Sequence, residues 1–483
     1  MTPRATVPVA AAATLLVLVA FTTPLSTLPS TAAAFGAGPE GQAWILSSMS
    51  IGLGVALLSC GAVADDLGRR RILVLGAVLL AAASVVCALA GSTSVLVGGR
   101  IVAGVGGAAL LAAGLGLIGH AFPAGSPQAR TATGVWGASV GGGIAVGPLL
   151  ASGLERLVGD GGWTAVYWVT AVAALVLAVV ARLTVAESRA DVPRPVDLPG
   201  VVVLAVGVGL LLTGLVEARS GPARPVVLGL VAGGVVVLAL FVVLERRRAA
   251  PMIDPTLFRS PAFAAATLAA LATGLGIIAT TSFLPTVLER GVGATAPVAA
   301  LVLLGWSATS VLTALLARRL PAGVSGRAQF AAGLAVVAVG QAMLLGASPD
   351  SSPWRFVPGL LVAGAATGVV NSALGREAVA SVPTGRAGMG SGANNTARYV
   401  GSAIGVTVVA VVATRPGLPP GPEGLLAGWD VALGAATVFS LVGAGAVALC
   451  RPRTTPPTPT GRPTEGRAAD PDGADSGAWT KRS

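Results

Sequence analysis

Runs of about twenty apolar residues recur along almost the whole chain. They fall near 5–27, 42–63, 72–91, 94–119, 131–153, 163–182, 199–217, 225–244, 262–286, 295–317, 328–347, 354–375, 388–412 and 428–450. Each run is about as long as a helix must be to cross the hydrocarbon core of a bilayer. Inside a bilayer the backbone has no water to bond, so such runs fold as helices that satisfy their own polar groups. The expected fold is an all-α polytopic membrane protein with fourteen transmembrane helices. Only 11% of the residues are charged, against about a quarter in soluble domains. The short joins leave no room for a soluble catalytic domain. A cleaved leader would also place a basic residue such as Arg4 before an apolar run, but a first span followed by many others accounts for it.

The net charge of +11 does not point to nucleic acid. Lys481 is the only lysine, and the arginines stand in short clusters between the apolar runs. Threading the chain through a membrane puts seventeen arginines, from Arg4 to Arg386, on one side. Six lie on the other: Arg156, Arg219, Arg224, Arg290, Arg355 and Arg415. That asymmetry predicts a cell-membrane protein with both termini cytoplasmic. Two polar, proline-broken joins, Glu187 to Asp197 and Glu245 to Asp254, divide the chain. They give an N-terminal six-helix half (1–186), a linker with two extra helices (187–260) and a C-terminal six-helix half (261–450). The segment 451–483, rich in Pro, Thr, Gly and Asp, is expected to be a disordered cytoplasmic tail.

Three patterns carry possible chemistry. In Gly61, Asp65, Gly68 and Arg69, a small residue precedes an acid at a helix end, a turn glycine and an arginine. The grouping predicts a conformational latch, a charge pair that breaks as packed helices move. Ala317 to Arg327 is a looser copy of it. In the fifth run Gly134, Gly143, Gly147 and Pro148, followed by Ala151 and Ser152, predict a closely packed face with a bend at the proline. Arg100 and Arg398 lie inside apolar runs, where a charge is costly and should face a cavity or a partner. Ser391, Asn395, Arg398 and Ser402 share one helix face by their spacing. Arg100, Asn395, Arg398 and Ser402 are the candidate substrate or coupling route, with Asn371 and Gln341 as neighbours.

No Asp or Glu falls in the middle of any run, and the only histidine, His120, ends the fourth. A proton relay needs such a group. Cys60, Cys87 and Cys450 lack the spacing of a metal or redox site, and no phosphate-binding loop or nucleophile–base pair occurs. No enzyme activity, metal or cofactor is expected. Trp44, Trp163, Trp354 and Trp429 read as membrane-interface anchors, and Trp136 and Trp306 as packing or substrate-stacking residues.

Over residues 7 to 450 the chain resembles the major facilitator superfamily, in particular its fourteen-helix drug:proton antiporter family. The resemblance rests on Gly61 to Arg71, on Arg100 with Gly104, and on the Gly134, Gly143, Gly147 and Pro148 series. Asn395, Arg398, Gly401 and Gly405 complete it. It implies a major facilitator fold, two six-helix halves with two extra central helices, exporting drug-like or antibiotic-like molecules by alternating access. The implied partners are a small-molecule substrate and the lipid bilayer, with no nucleic acid. One departure concerns coupling: Ala20 and Leu25 stand where the family's first helix has an aspartate and an asparagine. Proton antiport is implied by the resemblance but left open by that loss. An uncoupled facilitator and a transport-inactive membrane sensor or assembly partner remain alternatives. Arginines without acids in the runs point to a neutral or anionic substrate. Oligomeric state is not legible.

Overall fold

The structure, a computed structural model, describes residues 5–451 apart from 160, 193, 249, 250 and 322. Arg4 and the expected disordered tail from 452 onward lie outside the described residues. The described chain is sixteen α-helices. They are α1 (Thr6–Thr22), α2 (Pro24–Phe35), α3 (Pro39–Leu67), α4 (Arg69–Ala88), α5 (Thr93–Ala121), α6 (Pro127–Val158), α7 (Gly162–Thr184) and α8 (Leu198–Glu217). The remainder are α9 (Pro225–Arg247), α10 (Pro261–Thr273), α11 (Ala279–Thr286), α12 (Ala296–Leu316), α13 (Gly326–Ala342), α14 (Val357–Ala380), α15 (Ala387–Ala413) and α16 (Pro422–Leu449). No strand occurs among the described residues.

The all-helical, multi-pass build is the expected one, while the span count differs. Twelve helices are long and apolar enough to cross a membrane, and the bent pair α1–α2 would make thirteen. The run at 328–347 forms only the 17 residues of α13, short of the usual length of about 20. The first run is not one straight helix. Pro24 has no N–H to continue the ladder, so α1 and α2 meet at 41°. α10 and α11 are joined by a π-helical turn at Gly274–Ile278 and form a single span, Pro261–Gly291.

Packing sorts the helices into two groups. α3 and α4 pack on α5, α7 on α4, and α1 on α6; α12 and α13 pack on α14, and α10 and α13 on α16. The first group encloses Leu53, Leu57, Leu73, Leu80 and Leu110; the second encloses Trp429, Leu433, Phe356 and Leu360. α3 against α15 and α6 against α12 and α14 join the groups, and α8 with α9 forms a pair leaning on α3. Outward stripes such as Val172, Val176 and Val179 on α7, and Val235 and Val236 on α9, stay exposed. Lipid tails would cover them, since such faces are stable only against an apolar solvent.

Candidate functional site

The last turn of α3 closes one face of the molecule. Asp65 and Arg69 are completely buried, with Arg69 Nη2 2.7 Å from Asp65 Oδ1. The same carboxylate accepts from the backbone N–H groups of Gly388 at 3.0 Å and Met389 at 2.8 Å. Those donors belong to the first turn of α15, where a helix has no partners of its own for its N–H groups and a partial positive charge. Asp65 therefore caps a helix of the other group while it neutralises Arg69. Arg69 Nη2 also donates to Gly385 O at 2.7 Å. Beside this pair, Arg386 Nη1 lies 2.7 Å from Asp66 Oδ1.

Two glycines permit that approach. A Cβ on Gly61 would stand 2.8 Å from the Gly388 carbonyl carbon, and one on Gly388 would stand 2.7 Å from Gly61 O. Gly68, at φ 122°, turns the chain from α3 into α4. The join after α7 wraps the same corner. Ala190 N donates to Asp65 O at 2.7 Å, Arg69 N to Ser188 O at 2.8 Å, and Arg70 N to Glu187 Oε1 at 3.0 Å.

Between the two groups lies a cavity of about 390 Å³, within the range of small-molecule sites. Its wall runs from Thr367, Asn371 and Arg398 in the middle of α14 and α15 to Pro39, Gln42, Arg219 and Arg290 at the face opposite Asp65. Phe21, Ile144, Phe283 and Trp306 make much of the wall apolar. Among the described residues its charged side chains are Arg219, Arg290 and Arg398, with Tyr399 beside Arg398 and no Asp or Glu in the wall.

The expected site residues divide between these places. Gly61, Asp65, Gly68 and Arg69 form the closure. Arg398 and Ser402 line the cavity, as does Pro148 from α6. Gly143 and Gly147 let α6 lie on α1, where Cβ atoms would stand 2.7 Å from Leu15 O and 2.9 Å from Val19 O. Gly134 faces α12, 3.0 Å from Ala314 O by the same measure. α6 thus touches both groups through glycine. Asn395 is buried off the wall, its amide donating to Ser391 O at 3.0 Å. Arg100 is also off the wall: Nε donates to Ile45 O at 3.0 Å, Nη1 to Ala20 O at 3.4 Å and Nη2 to Phe21 O at 3.5 Å. Gln341 ties Thr280 to Ser440 behind the wall. Trp429 and Trp163, expected at the membrane interface, are buried instead, Trp429 stacked on Phe283. Sequence reasoning missed Asp66, Arg386, Arg219 and Arg290, which read simply as loop charges at the ends of runs.

The sequence pattern of the Major Facilitator Superfamily matches residues 10–406. Multidrug resistance protein Stp of Mycobacterium tuberculosis is 33% identical over 392 residues, covering 80% of this chain and 71% of that protein. The probable actinorhodin transporter of Streptomyces coelicolor is 32% identical over 378 residues, covering 76% of this chain and 64% of that one. The crystal structure of the human organic anion transporter MFSD10 (TETRAN) aligns with a TM-score of 0.64 at 18% identity, covering 92% of this chain and 100% of that chain. At that identity the likeness concerns the fold alone. With the same family pattern spanning both helix groups, and relatives at about a third identity, the chain belongs to the Major Facilitator Superfamily.

Proposed function

We propose that this protein is a secondary transporter that exports small organic molecules, drug-like or antibiotic-like, across the cell membrane by alternating access. The observation that carries the reading is a cavity between two helix groups that is closed at one face by a buried ion-paired cap and reaches the opposite face. Rocking 1–186 against 261–450 would break that closure and form another across the cavity mouth. In this reading α8 and α9, within 187–260, are an addition to the two six-helix halves, α9 at the periphery and α8 with Arg219 contributing to the cavity wall, and α13 with its flanking residues is the fourteenth span. The arginine-rich loops favour a cytoplasmic Asp65 face and cytoplasmic termini, and in that orientation the cavity opens outward. Export rather than uptake is supported by the names of the multidrug and antibiotic relatives.

Proton antiport is part of the proposal, with an acid outside the cavity as its carrier. Ala20 packs in the apolar core, and the buried acids among the described residues are Asp65, Asp66, Asp197 and Glu245. Asp65 and Asp66 are the two whose protonation would remove charge from the closure itself. The test uses the purified full chain in liposomes with an imposed pH gradient and a panel of neutral, anionic and cationic dyes. Gradient-driven accumulation of at least one dye is expected. Downhill flux indifferent to the gradient would replace antiport with facilitated diffusion, the reading that the acid-free cavity wall favours next. Absence of flux for every dye, from protein that still unfolds cooperatively, would count against transport.

A further inference from the structure

We infer that the cavity is a site for amphipathic organic anions and that Arg398 takes the anionic group. The argument starts from how the other buried arginines are satisfied. Among the described residues four arginines are buried: Arg69, Arg100, Arg386 and Arg398. Arg69 is paired with Asp65 and Arg386 with Asp66. Arg100 is spent on three backbone carbonyls. Arg398 forms no ion pair among the described residues, although it is only 3% exposed and lies in the middle of a membrane helix. Its Nε has no hydrogen-bond partner. What stands near it is Tyr399, its ring 5.5 Å from the guanidinium carbon and its buried hydroxyl within the guanidinium's electrostatic reach, a neutral neighbour that leaves the charge uncompensated. A buried guanidinium is stable when paired and hydrogen-bonded. Here the open direction is the cavity.

The rest of the wall has the same sign. Arg219 donates through Nη1 to Ser47 Oγ at 2.8 Å and leaves its own Nε without a partner. Arg290 stands exposed near the mouth. Glu289 partly offsets Arg290 at the mouth, but among the described residues no carboxylate lines the wall beside Arg398 or Arg219, and an apolar-walled cleft focuses such a field on whatever enters. Ala20, packed in the same core cluster as Tyr399, brings no acid from α1. A planar guanidinium binds carboxylate, sulfonate or phosphate through two parallel bonds. Phe21, Ile144 and Trp306 supply surface for an apolar body attached to that group. The predicted ligand is therefore an aromatic or aliphatic body of modest size with one acidic group. A cationic drug would meet three like charges.

This inference deepens the transport reading by naming the substrate class, but it is tested by binding, which can succeed or fail separately. The full chain is placed in phosphatidylcholine nanodiscs and dialysed to equilibrium against three probes with one aromatic body: 2-naphthoate, 2-naphthalenemethanol and (2-naphthylmethyl)trimethylammonium. Empty discs are subtracted. Naphthoate should bind about tenfold or more tightly than the alcohol, with the cation weakest. Arg398→Ala should weaken naphthoate about ten- to a hundredfold, the range for a charge-assisted hydrogen bond, and leave the alcohol within about twofold. Unchanged alcohol binding shows that the variant is folded. Arg398→Lys should recover part of the loss through charge without the fork. Equal binding of naphthoate and alcohol by the native chain would overturn the inference, as would equal weakening of all three probes by Arg398→Ala. If Arg398→Ala does not fold, Arg398→Lys decides: naphthoate weakened but still preferred to the cation, with the alcohol unchanged, would support the inference, and native affinity for naphthoate or equal weakening of all three probes would overturn it. Discs containing phosphatidylglycerol separate a soluble anion from a lipid headgroup. Naphthoate binding that survives there supports the small-molecule site, and binding abolished there would assign the site to lipid. Probe binding without flux would sink only the transport reading, and flux indifferent to probe charge would sink only this one.

Discussion

Replacing Asp65 with alanine is expected to collapse the outward-open state and reduce transport at least tenfold. The substitution removes the counter-charge of a buried Arg69 and two acceptors for the first N–H groups of α15. Breaking a buried pair by deleting one partner costs about 3–5 kcal/mol, because the remaining charge is left uncompensated. If the closure exists only in this state, that cost shifts the balance between states by about 10² to 10⁴-fold. The measurement is labelling by a membrane-impermeant maleimide in a chain whose three native cysteines have been replaced. A cysteine introduced at Ala300, on the cavity wall, should label readily from the outside in the parent and slowly in Asp65→Ala. Asp65→Asn keeps the shape and one good acceptor, so its effect should be intermediate. Asp66→Asn should do less, because Asp66 and Arg386 are 8% and 10% exposed and the pair is partly solvated. Labelling unchanged by Asp65→Ala would remove Asp65 from the conformational mechanism.

The Asp65–Arg69 closure illustrates which part of a site a sequence can disclose. Its local half was legible, because glycine, aspartate, turn glycine and arginine at those spacings have few other uses together. Its other half is the N-terminus of α15, more than three hundred residues away. Unpaired N–H groups at a helix start exist in every helix and leave no mark in residue type. The same limit applies to Asp66 and Arg386, each an ordinary loop charge until the fold joins them. The cavity wall was partly legible from Arg398 and Ser402, four residues apart on one face. Asn395, one turn earlier on that face, is off the wall and bonded back to its own helix. The apolar runs located the helices because bilayer thickness sets their length. They could not show that Pro24 ends the first helix early, since proline in a membrane helix is tolerated whenever a neighbour repairs the ladder.

That repair explains Arg100, which sequence reasoning put on the substrate route. In an unbroken helix the carbonyl of Ala20 would accept from the N–H of residue 24, and residue 24 is proline. Arg100 Nη1 reaches that carbonyl at 3.4 Å, with Thr23 Oγ1 beside it at 3.1 Å. Nη2 reaches Phe21 O, and Nε ties the assembly to Ile45 on α3. One guanidinium from α5 therefore pins the bend between α1 and α2. Arg100→Ala is expected to destabilise the protein by about 2–4 kcal/mol, combining lost charge-assisted hydrogen bonds with the void left by a large buried side chain. This should be seen as a lower thermal unfolding midpoint in nanodiscs. Lysine should restore little, since a single ammonium cannot serve carbonyls on both α1 and α3. The decisive variant is Pro24→Ala in the Arg100→Ala background. It returns an N–H to residue 24, which can bond Ala20 O directly, so it should recover part of the lost stability. A coupling energy of about 0.5–3 kcal/mol between the two sites is the expected signature. Naphthoate binding, normalised to folded protein, should be nearly unchanged by Arg100→Ala. Weakened binding at an unaltered unfolding midpoint would instead return Arg100 to the substrate route.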